Sequence, residues 1–405
     1  MRSFCSDDQN GEPSPKRMDI VPRTIFVRNA ALVGIAACLC FALASGEASS
    51  TPTANSGNQP AEPTTNSYAQ EAAEGMQTLQ RWYVQSSGLY QSPTGWWNAA
   101  NAITVLVNYS RVTHSTQFLS AVANTFANAN AANGSQNFIT SANDDEGWWA
   151  LAWIDAYDLT KTPAYLSMAQ TIFSDLTTQW DTTTCGGGIW WSKDLKTSAY
   201  KNAVTNELFL TIAASLANRV SQPSQKAQYL NWAIKEWQWF DNSGMINAQH
   251  LINDGLKASN PAACVNNRQT TWTYNQGVIQ GGLLELYKAN HDYSLITTAQ
   301  TIATAAITNL VPPTGVLQEP SISGPDGPQF KGIFVRNLME LNQAFPNPEY
   351  RAFVTTNVNS IWLNDQGPAY KFGVYWQGPF DSADATRQTS ALDVFIAALQ
   401  MSGSP

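Results

Sequence analysis

Ser141-Ala142-Asn143-Asp144-Asp145-Glu146-Gly147-Trp148-Trp149 changes character midway, from small polar residues through three acids to a pair of tryptophans. From Trp148 to Leu159 apolar residues recur every three or four positions, which puts them on one face of a helix. The acids stand where that helix begins. Asn143 or Asp144 can cap it, and Asp145 and Glu146 can oppose the positive end of its dipole. The same spacing recurs in Ala99–Tyr109, Ala164–Leu176, Glu207–Arg219, Tyr229–Phe240, Gly277–Lys288, Ser294–Leu310, Phe334–Ala344, Tyr350–Asn364 and Ser390–Met401. Clusters of Gly, Pro, Asn, Asp and Thr separate these segments, and no series of alternating strands appears. The pattern predicts an all-α domain of about eleven or twelve helices.

A weak repeat runs through it. Gly88-Leu89-Tyr90, Gly188-Ile189-Trp190, Gly244-Met245-Ile246, Gly315-Val316-Leu317 and Gly373-Val374-Tyr375 share one pattern, and Gly95-Trp96-Trp97 and Gly147-Trp148-Trp149 share another. Such recurrence marks stacked helical hairpins. Six or so hairpins can close into a double ring, the (α/α)6 barrel, or remain an open solenoid. Tryptophans at the repeats favour the ring, where Trp96, Trp97, Trp148, Trp190 and Trp191 can line a central groove. About half of such tryptophans are expected in the core instead.

Composition narrows the function. The chain has 405 residues, 43% apolar and 13% charged, which excludes a disordered protein. Net charge is −8 and no basic run follows Arg28, so nucleic acid and anionic membrane surfaces are poor partners. Ala30–Ala44 is an apolar run behind Arg23 and Arg28 that ends in Ala42-Leu43-Ala44. Residues 1–44 read as a secretory signal peptide with a long n-region, for which Met18 is a more ordinary start. A signal anchor is the rival. Residues 45–66 read as a Ser/Thr/Pro linker and 67–405 as one folded, secreted, monomeric domain. Cys185 and Cys264 then remain, most simply as one disulfide, with two buried thiols as the alternative. Asn108-Tyr109-Ser110 and Asn133-Gly134-Ser135 fit the N-glycosylation pattern.

No Gly-x-Ser-x-Gly elbow, His-Glu-x-x-His or P-loop occurs, and His114, His250 and His291 are far apart in sequence. No metal or cofactor is expected, so any chemistry rests on carboxylates. Asp144 and Asp145 beside tryptophans fit glycoside hydrolysis, which needs one carboxylic acid and one carboxylate. Two close acids resist double ionisation, which keeps one protonated.

Five motifs then stand in order: Asn143–Trp149, Cys185–Trp191, Tyr200–Leu208, Thr273–Gly277 and Lys331–Phe334. In this order the chain resembles glycoside hydrolase family 76, and within it the fungal endo-α-1,6-mannanases. The resemblance covers roughly Tyr68 to Met401. It implies an (α/α)6 barrel, cleavage of α-1,6-linked mannan with retention, Asp144 as nucleophile, Asp145 as general acid/base, and no metal.

The remaining motif residues have physical readings of their own. Gly186-Gly187-Gly188 can let the backbone approach a sugar. Trp190 and Trp191 can offer apolar faces and an indole donor. Lys201, Asn202, Asn206 and Glu207 mark another helix start, where Asn206 and Glu207 can bind hydroxyls or cap. Tyr274 and Asn275 can reach the groove in the same way. Lys331 and Arg336 read as salt-bridge cations, Asp381 and Asp384 as surface acids. A transglycosylase moving mannose-containing GPI glycans is an alternative, since it uses the same glycosyl-enzyme. The lack of a hydrophobic tail favours the hydrolase. A mannan-binding protein without turnover is a third reading.

Overall fold

The structure is a computed structural model that describes residues 65–402 except 197, 198, 261, 262 and 323. The expected signal segment and all but the end of the linker lie outside the described residues. The first helix begins at Thr65, two residues before the expected domain boundary.

Twelve α-helices lie among the described residues: α1 Thr65–Leu79, α2 Trp96–Thr113, α3 Leu119–Asn133, α4 Asn143–Thr160, α5 Pro163–Thr177, α6 Ala203–Arg219, α7 Pro223–Asn242, α8 Thr273–Asn290, α9 Tyr293–Leu310, α10 Gly327–Ala344, α11 Pro348–Asn364 and α12 Ala385–Ser402. The even-numbered helices pack side by side in the order α2, α4, α6, α8, α10, α12, and α12 returns to α2. The odd-numbered helices lie outside them, α1 against α12, α5 against α4, α7 against α6 and α9 against α8. Burial follows from sequence. In α6 every residue from Ala203 to Ala217 is buried, as suits a helix walled on all sides. In α5 only the stripe Tyr165, Ala169, Ile172, Phe173 and Leu176 is buried, as suits an outer helix. The ring is closed, an (α/α)6 barrel.

The two ends of the barrel differ. At one end inner helices turn quickly into outer ones, as at 161–162 and 291–292. There Lys161 and His291 end α4 and α8 in the left-handed conformation, with φ of 56° and 60°. At the other end six long connections, 80–95, 134–142, 178–202, 243–272, 311–326 and 365–384, surround the N-termini of the inner helices. They hold three antiparallel hairpins: β1 (Tyr83–Val84) with β2 (Leu89–Tyr90), β3 (Leu256–Asn260) with β4 (Ala263–Asn266), and β5 (Gln366–Gly367) with β6 (Lys371–Phe372).

The Gly-apolar-apolar repeat belongs to these connections rather than to the helical hairpins. Gly88, Gly188, Gly244 and Gly315 take φ between 71° and 84°, which glycine adopts without strain. A recurring clamp holds the chain beside them. Asn206 Oδ1 accepts from Ile189 N at 2.8 Å while its Nδ2 donates to Ile189 O at 3.2 Å. Gln276 does the same to Ile252, at 2.8 and 2.9 Å. Gln388 accepts from Phe372 N and donates to Tyr370 O, both at 3.0 Å. Each is the fourth residue of its inner helix. A disulfide between Cys185 and Cys264 ties connection 178–202 to connection 243–272.

Four expectations change here. Asn108 is 4% exposed within α2, so the folded chain leaves no room for a glycan on it, whereas Asn133 is exposed at the end of α3. Asp384 is buried and paired with Arg387 rather than at the surface. Lys331 has no carboxylate within ion-pair distance among the described residues. It donates to Val374 O at 2.7 Å and lies 3.9 Å from the centre of the Trp376 ring. Gly187 and Gly188 face the ring of Trp239, which a Cβ would enter, so their smallness serves packing rather than a sugar.

Candidate active site

Asp144 and Asp145 lie at the long-loop end, in the first turn of α4, and both are half-buried. The helix starts without a side-chain cap, at an extended Ala142. Asn143 is occupied elsewhere: its backbone N donates to Trp191 O and its Nδ2 to Trp190 O, both at 2.8 Å. These bonds dock the Trp190-Trp191 segment onto the start of α4.

The two aspartates are not equivalent. Asp144 accepts from Asp145 N at Oδ1 and from Trp191 Nε1 at Oδ2, both at 3.0 Å. Asp145's carboxyl takes no hydrogen bond from a described residue. Burial pushes Asp144 up to about 7 against those donors, with the Asp326 charge adding a little. Asp145 is raised well above the carboxylate range, by burial first, then by Asp144 and Asp326. Near neutral pH the pair therefore keeps a proton, and Asp145 is the better holder. Glu146 takes no part: it is fully buried and pairs with Lys193 at 3.0 Å.

Aromatic rings close the barrel beneath the pair. Trp148, one turn further along α4, stacks on Trp97 at 5.5 Å and lies 6.5 Å from Tyr274. Tyr274 lies flat on Phe330 at 3.9 Å, and Phe330 meets Trp97 at 6.1 Å. Beyond this floor, toward the short-turn end, lies a cavity of about 1130 Å³ lined by Trp148 and by ion-paired side chains such as Arg111, Asp155, Arg219 and Glu285. This cavity is thus on the far side of the floor from the acids.

The expected groove residues divide. Trp191 is exposed beside Asp144, and Trp97 and Trp190 are half-buried. Lys201 Nζ lies 4.7 Å from the centre of the Trp190 ring and donates to the carbonyls of Asp181, Thr184 and Gly187, so it pins the glycine segment. Trp148, at 4% exposure, is floor rather than wall. Trp96 stacks between Phe138 and Trp149 with its indole N–H buried, which makes it core. Asn206 is wholly buried and spends both ends of its amide on the clamp, so it holds the loop and not a hydroxyl. Asn275 is also wholly buried, and neither end of its amide finds a partner among the described residues. Tyr274 remains at the floor. Burial and the charges of Asp254, Asp144, Glu207 and Glu319 raise its phenol far above the usual range, so it stays a donor.

Sequence reasoning missed several acids around it. Asp254 accepts from Tyr200 Oη at 2.5 Å and from Trp272 Nε1 at 3.0 Å. Glu319 accepts from Thr273 N at 3.0 Å and from Thr273 Oγ1, capping α8 just before Tyr274. Asp326 accepts from Trp97 Nε1 at 2.8 Å. Each lies in a connection of ordinary polar composition, so no local pattern marks it.

Residues 64–405 match glycosyl hydrolase family 76. The mannan endo-1,6-alpha-mannosidase DCW1 of Saccharomyces cerevisiae is 26% identical over 346 residues, 78% of this chain and 74% of that protein. The mannan endo-1,6-alpha-mannosidase DFG5 of Candida albicans shares the same identity and coverage. Among solved structures, the alpha-1,6-mannanase of Salegentibacter sp. superposes with a TM-score of 0.74 at 23% identity, over 82% of this chain and 99% of that one. An inactive form of that enzyme, with two consecutive aspartates replaced by asparagine, was solved with alpha-1,6-mannotriose. Dfg5 of Chaetomium thermophilum, solved with glucosamine, gives a TM-score of 0.74 at 19% identity over 85% of this chain and 93% of that one. With the matched region spanning the whole barrel, this chain belongs to glycosyl hydrolase family 76 and is a glycoside hydrolase.

Proposed function

We propose that the protein cleaves α-1,6-mannosidic bonds within mannan chains and retains configuration at the anomeric carbon. The carrying observation is the inequality of the two aspartates. Asp144, held by two N–H donors, suits the carboxylate that attacks the anomeric carbon. Asp145, held by none and raised by its neighbour, suits the acid that protonates the departing glycosidic oxygen. Attack by Asp144 gives a covalent mannosyl-enzyme. Asp145, now a carboxylate, takes a proton from water as the water oxygen bonds to the anomeric carbon. The bond to Asp144 breaks in the same step, which leaves Asp144 as anion and Asp145 as acid. Exposed Trp191 at the rim and Tyr274 on the floor offer one apolar face and one hydroxyl donor to the sugar. The substrate class rests on the activities by which the relatives are named. Release from the cell is part of the proposal, and the Cys185–Cys264 disulfide suits an oxidising compartment.

The test is incubation with linear α-1,6-mannan and with α-1,6-mannooligosaccharides, followed by product length. Rapid shortening to small oligosaccharides is expected. Products longer than the substrate would replace hydrolysis by transfer to a sugar hydroxyl. Binding without any change in length would end the catalytic reading for this glycan.

A further inference from the structure

Asp326 stands at the N-cap of α10 and does not cap it. An aspartate there normally accepts from free N–H groups of the first turn, a bond that contributes about 1 kcal/mol. Here the backbone is already helical, with φ −87° and ψ −46°, and the side chain makes no cap bond. Its Oδ1 instead accepts from Trp97 Nε1, and its Oδ2 accepts from no described residue. The side chain is exposed, and no Lys or Arg among the described residues pairs with it. In the ring of six inner helices α10 stands opposite α4, so Asp326 faces Asp144 and Asp145 across the mouth, and its charge bears on both. At the start of α10 its charge opposes the positive end of the helix dipole, but the cap bond is forgone and a third like charge approaches two others.

We infer that Asp326 is a substrate-binding carboxylate of this site, whose free oxygen accepts hydrogen bonds from hydroxyl groups of the sugar unit held over Asp144 and Asp145. The inference rests on the hydrolase reading above. It also defines what the mouth refuses. A neutral sugar supplies the donors that a carboxylate lacks, whereas a unit carrying phosphate or carboxylate meets three acids.

The charged and titratable groups facing the pair are each other, Asp326 and the Tyr274 phenol, since Glu146 is turned to Lys193. The test compares Asp326→Asn with Trp97→Phe, which removes the indole donor but leaves the charge. Asp326→Asn should lower kcat/KM on α-1,6-mannan roughly tenfold to a hundredfold. It should also move the alkaline limb of the pH profile down by about half a unit to one unit, because the acid loses a neighbouring negative charge. Trp97→Phe should leave that limb in place. Equal losses in both variants with an unmoved limb would reduce Asp326 to a brace for Trp97 and overturn the inference. Should the wild type leave mannan untouched, the substrate reading falls instead. Carboxyl-carbon NMR titration of the pair in wild type and Asp326→Asn then still decides. A lowered titration supports the placement of Asp326, and an unchanged one overturns it.

Discussion

Asp144 and Asp145 are neighbours in sequence, yet their surroundings make them different reagents. Trp191 Nε1 and Asp145 N steady the charge on Asp144, while no N–H among the described residues donates to the carboxyl of Asp145. That assignment predicts opposite rescues. Asp144→Ala and Asp145→Ala should each lose at least about 10³-fold in turnover. With added azide, Asp145→Ala should yield the α-mannosyl azide through the intact nucleophile. Asp144→Ala should yield the β-azide by direct displacement. Analysis of the azide products by NMR checks this, and exchanged products would exchange the roles. The pair was legible in the sequence because adjacency and the tryptophans after it announce a site. Asp254 and Asp326 were not. They come from other connections, and only closure of the ring brings them to the same mouth. Asn206 shows the reverse error: a polar residue at a helix start beside a motif looks like a ligand, but its buried amide is spent on backbone.

Three of the six inner helices, α6, α8 and α12, hold a long connection with an amide clamp, and the clamp on α6 shapes the site. Asn206 holds Ile189, next to Trp190 and Trp191, which in turn hold Asn143 at the start of α4. Asn206→Ala should leave the buried N–H and C=O of Ile189 without partners, at a cost of about 2–3 kcal/mol. A lower urea midpoint together with reduced kcat is the expected result, and unchanged stability would deny the clamp its role. Ten of the twelve helices could be read from apolar spacing, because each buries a face of large side chains. Helix α3 could not, since its buried residues are Ala121, Val122, Thr125 and Ala129, which contrast little with its exposed Ala and Asn. The bounds of α1 were not read either, although Tyr68, Ala72, Met76 and Leu79 recur at helical spacing and are buried. The hairpins β1–β2 and β5–β6 have strands of two residues, too short for any alternation to register. The Gly-apolar-apolar repeat was visible, but its place in the connections was not, because a recurrence in sequence does not tell which part of the unit recurs.

On the scale of the molecule, six connections of different sequence make one working face, and covalent and electrostatic features bear on all of it. The disulfide closes a loop with a sequence separation of 79 residues. Replacing Cys185 and Cys264 with Ser should cost about 4.5 kcal/mol by the chain-entropy model, read as a shift in urea midpoint. The barrel also buries acids whose protons it keeps. Burial raises Glu207 and Glu236 well above the carboxylate range, Glu146 and Asp365 to about 8, and Glu319 to about 7. Unfolded, these groups ionise near 4, so between pH 5 and 7 the folded chain binds more protons than the unfolded one. Stability must then fall as pH rises through that window. Asp181 and Glu285, lowered to about 2, are ionised in both states there and contribute no slope. A melting temperature higher at pH 5 than at pH 7 is expected, and a rise toward pH 7 would mean that these acids are not buried as described. The central claim concerns the acid pair at the mouth. Proton NMR of the first product released from an α-1,6-mannooligosaccharide tests it most directly. The two-aspartate mechanism predicts that the α-anomer appears first and then mutarotates, whereas initial release of the β-anomer would contradict it.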